Sequence, residues 1–276
     1  MRRFGTGLLL LLGAASTACA PLSVSAQTRA RGDEPFRWSG EVTAGHWVYL
    51  RNLNGRVRVE PGTGSKLEIT ADKRWRRGNP DDVEITVKQV GSGRGDVLVC
   101  AVWRDTNTRC DEDGYSVRSH FDGWFRDSRR NDVSVEFTVR LPEGVRVDAR
   151  SVNGEIEIDG ATSEVIAHTT NGHIDARSTG GPVRATTTNG DVTVRTGALD
   201  TQDMEYRTTN GSITVELPAS ANAELDMHTT NGSISSDFPV TMEGTFSRRS
   251  MRGTLGRGGP RIRLSTTNGS IRLRKA

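Results

Sequence analysis

From residue 145 onward, apolar and polar residues alternate in short runs that are phased by one recurring string. Thr-Asn-Gly stands at Thr170-Asn171-Gly172, Thr188-Asn189-Gly190, Thr209-Asn210-Gly211, Thr230-Asn231-Gly232 and Thr267-Asn268-Gly269, with looser copies at Asn153-Gly154 and Asn54-Gly55. From Asn153 the asparagines step by 18, 18, 21, 21 and 37 residues, and a period of this size marks stacked repeats. Four columns around each Asn are apolar. Six before it stand Val48, Val147, Val165, Val183, Met204, Leu225 and Ile262; four before stand Leu50, Ala149, Ala167, Ala185, Tyr206, Met227 and Leu264. Three after it stand Val57, Ile156, Ile174, Val192, Ile213, Ile234 and Ile271; five after stand Val59, Ile158, Ala176, Val194, Val215, Ser236 and Leu273. Strand side chains alternate faces, so each copy predicts two short strands with one apolar face each, joined at Asn-Gly.

Two geometries satisfy this arithmetic. Asn-Gly tolerates positive φ and could close a two-residue hairpin, pairing the columns across it. A chain of such hairpins would leave one apolar sheet face with nothing helical to cover it. If Asn-Gly instead turns the corner of a solenoid coil, each column stacks on its equivalent ~4.8 Å away and two sheets bury each other's inner faces. The solenoid is the favoured reading. It predicts a ladder of asparagines, beside a ladder of inward hydroxyls from Ser151, Thr169, Thr187, Thr208, Thr229 and Thr266, with Arg261–Leu264 re-entering the stack and the chain ending with the last coil.

Upstream, the alternation continues without the repeat. Lys66–Ala71, Asp82–Val87, Asp96–Val102 and Asp132–Val139 read as half-buried strands, so the separation of 99 residues from Asn54 to Asn153 holds a β-rich insertion. Nothing reads as a long amphipathic helix, and the fold class is all-β: a β-solenoid or β-helix-like stack. One segment breaks the pattern, Trp103 to Asn131, which gathers Trp103, Tyr115, Phe121, Trp124 and Phe125 among Arg and Asp residues. Clustered rings and arginines on a long loop suit a binding surface; the alternative is that the rings cap the open end of the stack against pairing with another molecule.

The start of the chain divides it further. Basic Arg2-Arg3, an apolar run from Leu8 to Leu12 and small residues before Gln27 read as an export signal over 1–26. A rival reading makes Cys19 a lipid anchor. A flexible linker over 27–35, an N-terminal β region over 36–144 and the repeat region over 145–276 follow. Cys100 and Cys110, an even pair in an exported chain, read as a disulfide closing a short loop. The net charge of +3 falls to +1 once Arg2 and Arg3 leave, too little for a nucleic-acid face.

Candidate chemistry is sparse, and no catalytic, cofactor or metal site is expected. His168 and His228 share a column but lie coils apart, and Asp111-Glu112-Asp113-Gly114 lacks calcium-loop spacing. Glu155, Glu157, Asp175 and Asp191 fall on outward columns close together, which keeps a polysaccharide-active β-helix enzyme as an alternative.

The lead-in Leu141-Pro142-Glu143-Gly144-Val145, the recurring Asn-Gly-x-Ile-x-Val and the closing run from Gly256 to Leu273 together resemble the bacterial "putative adhesin" family of uncharacterised envelope proteins with β-helix-like folds. The resemblance covers roughly residues 36–275. It implies a β-helical, exported or cell-envelope protein with an adhesive role. The sparse chemistry favours a non-enzymatic, periplasmic, envelope or extracellular scaffold that binds an unidentified envelope protein or glycan; a stress-sensing module working through a protein partner is the other alternative. The resemblance brings no catalytic residues.

Overall fold

The computed structural model describes residues 34–104, 107–118, 132–199, 201–242 and 247–276. The described residues open with β1 (Phe36–Glu41) and a first coil, β2 (Trp47–Arg51) and β3 (Val57–Pro61). Next come β4 (Lys66–Arg74), β5 (Val83–Val90), β6 (Asp96–Trp103), the hairpin β7 (Asn107–Cys110) and β8 (Tyr115–Arg118), and β9 (Ser134–Leu141). Four coils follow: β10 (Arg146–Arg150) with β11 (Ile156–Ala161), β12 (Val165–Asn171) with β13 (Ile174–Ser178), β14 (Val183–Asn189) with β15 (Val192–Thr196), and β16 (Met204–Asn210) with β17 (Ile213–Leu217). The remaining strands are β18 (Ala223–Asn231), β19 (Ile234–Ser236), β20 (Val240–Met242), β21 (Ser250–Leu255), β22 (Arg261–Asn268) and β23 (Ile271–Lys275). Among the described residues no α-helix occurs.

The two strands of each coil lie in different sheets. One sheet runs β20-β21-β18-β22-β16-β14-β12-β10-β2-β6-β5 and the other β1-β4-β9-β3-β11-β13-β15-β17-β23-β19. Asn-Gly therefore turns from sheet to sheet, and the hairpin geometry is excluded. Neighbouring coils pair in parallel and in register: Ile156 on Ile174, Ile174 on Val192 and Val192 on Ile213 in one sheet, Val147 on Val165 and Val165 on Val183 in the other. The four apolar columns are buried to within 2%, apart from Ile234 at 9% and the half-buried Ser236. Each Val, Leu, Ile or Met in them contributes about 1.5–3 kcal/mol by leaving water; repetition, not any single rung, makes the core.

The order of the coils differs from the order of the chain. The last coil, β22 and β23, re-enters the stack between β16/β17 and β18/β19. The sequence after β17 first builds the outer coil and its antiparallel cap, β21 and β20, and then returns to fill the slot. Consequently His168 and His228 are four steps apart through Thr186, Arg207 and Ser265, about 19 Å at ~4.8 Å per step.

The N-terminal end shows a similar excursion. β6 pairs in parallel with β2, and β9 with β3, so β6 and β9 form an additional coil outside the first. No Asn-Gly pair stands between β6 and β9. Antiparallel β5 on one sheet, and β4 with β1 on the other, cover that end. β1 is thus part of the cap and not of the first repeat.

At the corners the asparagines form a continuous ladder, each side-chain amide donating to the Oδ1 of the next at 2.7–2.8 Å, in the order 231, 268, 210, 189, 171, 153, 54. The inward hydroxyls make no ladder of their own. Thr169, Thr187, Thr208, Thr266 and Thr229 each donate to the carbonyl of the corner glycine one coil away, Gly154, Gly172, Gly190, Gly211 and Gly269 respectively, at 2.8–3.0 Å. Ser151 Oγ is the exception, buried without a partner, where Gly55 O is taken by Asn52 Nδ2 at 3.0 Å. Each such bond satisfies a carbonyl that the turn would otherwise leave buried.

The glycines are needed for closeness more than for conformation. Gly154, Gly172 and Gly232 have no positive φ, yet a Cβ on any of them would collide with the carbonyl oxygen of the glycine in the coil alongside, Gly55, Gly154 and Gly269. Positive φ, the property that made Asn-Gly attractive as a hairpin, is not the common requirement.

Candidate binding surface

The irregular corner between β6 and β9 carries the features that set this chain apart from a plain repeat. Cys100 stands on the outer face of β6, opposite Arg51 of β2, and is joined to Cys110 at the end of β7 by a disulfide. The bond lays the β7–β8 hairpin over the outer face of the sheet. Tyr115 opens β8, half-buried, and donates its hydroxyl to Ala101 O at 3.0 Å. Burial raises its pKa well above the ordinary tyrosine value.

Arg51 occupies an outward column whose other members are polar and exposed or half-buried, yet it is 0% exposed because the hairpin covers it. Its Nε donates to Asp111 O at 3.2 Å and its Nη2 to Glu112 O. Nη1 donates to Asp148 O at 2.8 Å and to Asp148 Oδ1 at 3.1 Å, while Nη2 reaches Asp148 Oδ2 at 3.2 Å. Arg150 grips the same carboxylate from the other side, Nε to Oδ1 and Nη2 to Oδ2, both at 2.9 Å, and its Nη1 donates to Asp113 O. The Asp111–Asp113 turn, unsuited to calcium, thus offers its backbone carbonyls to two guanidinium groups. Burial lowers the pKa of Arg51, and Asp148 opposes the shift. The planar fork of Arg is suited to such bidentate pairing.

Rings extend the surface. Trp47 and Tyr49 stack with centroids 5.9 Å apart, Arg146 lies 4.7 Å over Trp47, and Arg51 lies 5.3 Å over Tyr49. Burial, then Asp96 and Asp148, raise the pKa of Tyr49. Where the chain returns, Asp132 accepts backbone N–H groups of Gly78 at 2.8 Å and of Arg77 and Arg76 at 3.2 Å, and these bonds, Gly78's first, lower its pKa.

The aromatic segment is therefore not one surface. Trp103 is 2% exposed and belongs to the core: it follows the inward positions Val97, Val99 and Ala101 of β6 at period 2. It is removed from the binding surface. Tyr115 is anchored to the sheet. Phe121, Trp124 and Phe125 lie outside the described residues, as do Cys19 and the export signal. Sequence reasoning missed Arg51, Asp148 and Arg150, because the coil that supplies Cys100 and the hairpin lacks an Asn-Gly corner and so did not align with the repeat.

The carboxylates considered for polysaccharide chemistry lie on the outer face of the other sheet. Glu157 adjoins Asp175, but Glu157 pairs with Arg58 at 2.8 Å and Glu155 with Arg56 at 3.3 Å. Burial raises the pKa of Asp175, with Arg177 opposing. Asp191 receives a hydrogen bond from Ser212 N at 2.7 Å, and its own N–H donates to His173 Nδ1 at 2.9 Å.

The sequence matches the profile of one family, Toastrack DUF4097, over residues 48–274, which takes in every coil. The chain belongs to the Toastrack DUF4097 family. No protein of curated function matches this Toastrack chain. Among solved structures it is similar to a "putative cell adhesion protein" from Clostridium sporogenes, at 12% identity and a TM-score of 0.41, covering 88% of this chain and 100% of that one. A "putative adhesin" from Bacteroides fragilis is similar at 10% identity and a TM-score of 0.31, covering 88% and 97%.

Proposed function

We propose that this Toastrack protein is a non-enzymatic, exported scaffold of the bacterial envelope, whose stack holds the β7–β8 hairpin and the segment after it as a binding surface for an envelope protein or glycan. The observation that carries the reading is the double fixing of the hairpin. A disulfide and two guanidinium groups hold an element that lies outside the repeat coils. A disulfide persists outside the reducing cytoplasm, which supports export. Irregular segments positioned by a rigid scaffold are where recognition is placed.

The test compares the full chain with a variant in which residues 119–131 are replaced by a short Gly-Ser linker, both immobilised and exposed to envelope extract and to purified envelope glycans. Retention by the full chain and its loss in the variant supports the reading. Equal retention by both overturns it.

A further inference from the structure

We propose that Asn231 is a site of spontaneous modification, the one Asn-Gly corner of the seven that the stack leaves open to deamidation. In this reaction the backbone nitrogen of the following glycine attacks the asparagine Cγ. The new N–Cγ bond forms a succinimide, the Cγ–Nδ2 bond breaks, and Nδ2 leaves as ammonia with the glycine amide proton. Water then opens the ring at either carbonyl, giving aspartate or isoaspartate. Asn-Gly is the favourable pair because glycine has no side chain to obstruct the attack, so the sequence alone marks all seven corners.

The stack protects six of them twice. Gly55, Gly154, Gly172, Gly190, Gly211 and Gly269 each donate the attacking N–H to the main-chain carbonyl of Asn153, Asn171, Asn189, Asn210, Asn268 and Asn231, at 2.8–3.0 Å. Each of the six asparagines before these glycines also has its Oδ1 held by the side-chain amide of the next asparagine in the ladder. All these bonds point towards the outer coil, so the series ends at Asn231-Gly232. There, among the described residues, the Gly232 N–H has no acceptor, and Asn231 Oδ1 accepts nothing while Nδ2 still donates to Asn268. Gly232 is also the one exposed corner glycine; the other six are half-buried.

Sequence supplies its own controls, because Asn210, Asn231 and Asn268 all stand in Thr-Thr-Asn-Gly-Ser. Reaction at a protected corner requires local opening first, and breaking two hydrogen bonds slows it by roughly tenfold or more. The full chain is incubated in mildly alkaline buffer, and deamidation at each site is followed by peptide mapping, with a parallel sample in urea. The expected result is conversion of Asn231 about tenfold or more faster than Asn210 and Asn268 in the folded protein, with the three rates converging in urea. Equal rates in the folded protein, a faster reaction at Asn210 or Asn268, or a preference for Asn231 that persists in urea would overturn the proposal.

Discussion

Asn268 donates its side-chain amide to Asn210 at 2.8 Å across 58 residues of sequence, while Asn231, which lies between them in the chain, donates to Asn268 from the far side. The last coil is therefore a wedge, closing a gap between β16 and β18 that the chain leaves open when it builds the outer coil. Leu264 packs in that wedge between Tyr206 and Met227, and all three are buried. Leu264→Ala should cost about 2–5 kcal/mol, read as a lowered urea midpoint. An effect below about 1 kcal/mol would mean that the outer coil does not depend on the wedge.

Most of this architecture is visible in the residues, and the parts that are not have physical causes. Isoleucine or valine three after each Asn fixes one sheet and the apolar columns four and six before it fix the other, because a period of two and a shared corner allow no second register. The order of coils is hidden because each column is made of interchangeable aliphatics. Leu225, Ile262 and Met204 would satisfy the same neighbours in either order, and only the length of the connections decides. The candidate site is hidden for the opposite reason: Arg51 stands in an ordinary outward column, and nothing local shows that a hairpin clipped 60 residues away will cover it.

That cover makes Arg51 costly to disturb. Arg51→Ala would leave Asp148 buried with half its partners and two carbonyls of the hairpin turn without donors. The expected loss is about 3–5 kcal/mol, measured by chemical denaturation. Replacing both, Arg51→Met with Asp148→Leu, should recover part of it, since an apolar pair of similar volume carries no desolvation penalty. A double variant no better than the single would show that Arg51 acts chiefly through the hairpin carbonyls.

Reduction of the disulfide should release the hairpin without unfolding the stack. Cys100 and Cys110 are ten residues apart, and closing a loop of that size is worth about 2.5–3 kcal/mol. Hydrogen exchange after reduction should rise over residues 107–118 and stay unchanged over β12 to β17. Global exchange would show that the clip supports the core.

The acid side of the stability profile should contain Asp132. Its folded pKa lies below the ordinary carboxylate value because it accepts the N–H groups of Gly78, Arg77 and Arg76. A depressed carboxylate contributes stability that is fully present above its unfolded pKa of about 3.9 and is lost as pH falls through the folded value. Asp132→Asn should therefore flatten the decline in urea midpoint below about pH 4 and leave the slope near neutrality unchanged. A parallel decline in both proteins would assign the acid sensitivity to other groups.

The corner glycines allow a test of closeness against conformation. Gly64 has φ of +73° with open space around its Cβ position, so Gly64→Ala pays only for the left-handed backbone, about 1–2 kcal/mol. Gly172 has no such φ, and conformation alone would make Gly172→Ala mild. Its Cβ would, however, strike the carbonyl oxygen of Gly154, which is held in place by the hydroxyl of Thr169 at 2.9 Å. Moving that oxygen means parting two coils that are also joined by Gly154 N–H donating to Asn171 O at 2.9 Å. Overpacking of this kind costs about 1–3 kcal/mol and more where the obstacle is backbone. Gly172→Ala should thus be the more damaging of the two, by thermal or urea unfolding. The reverse order would return the asparagine-glycine corner to a requirement for positive φ.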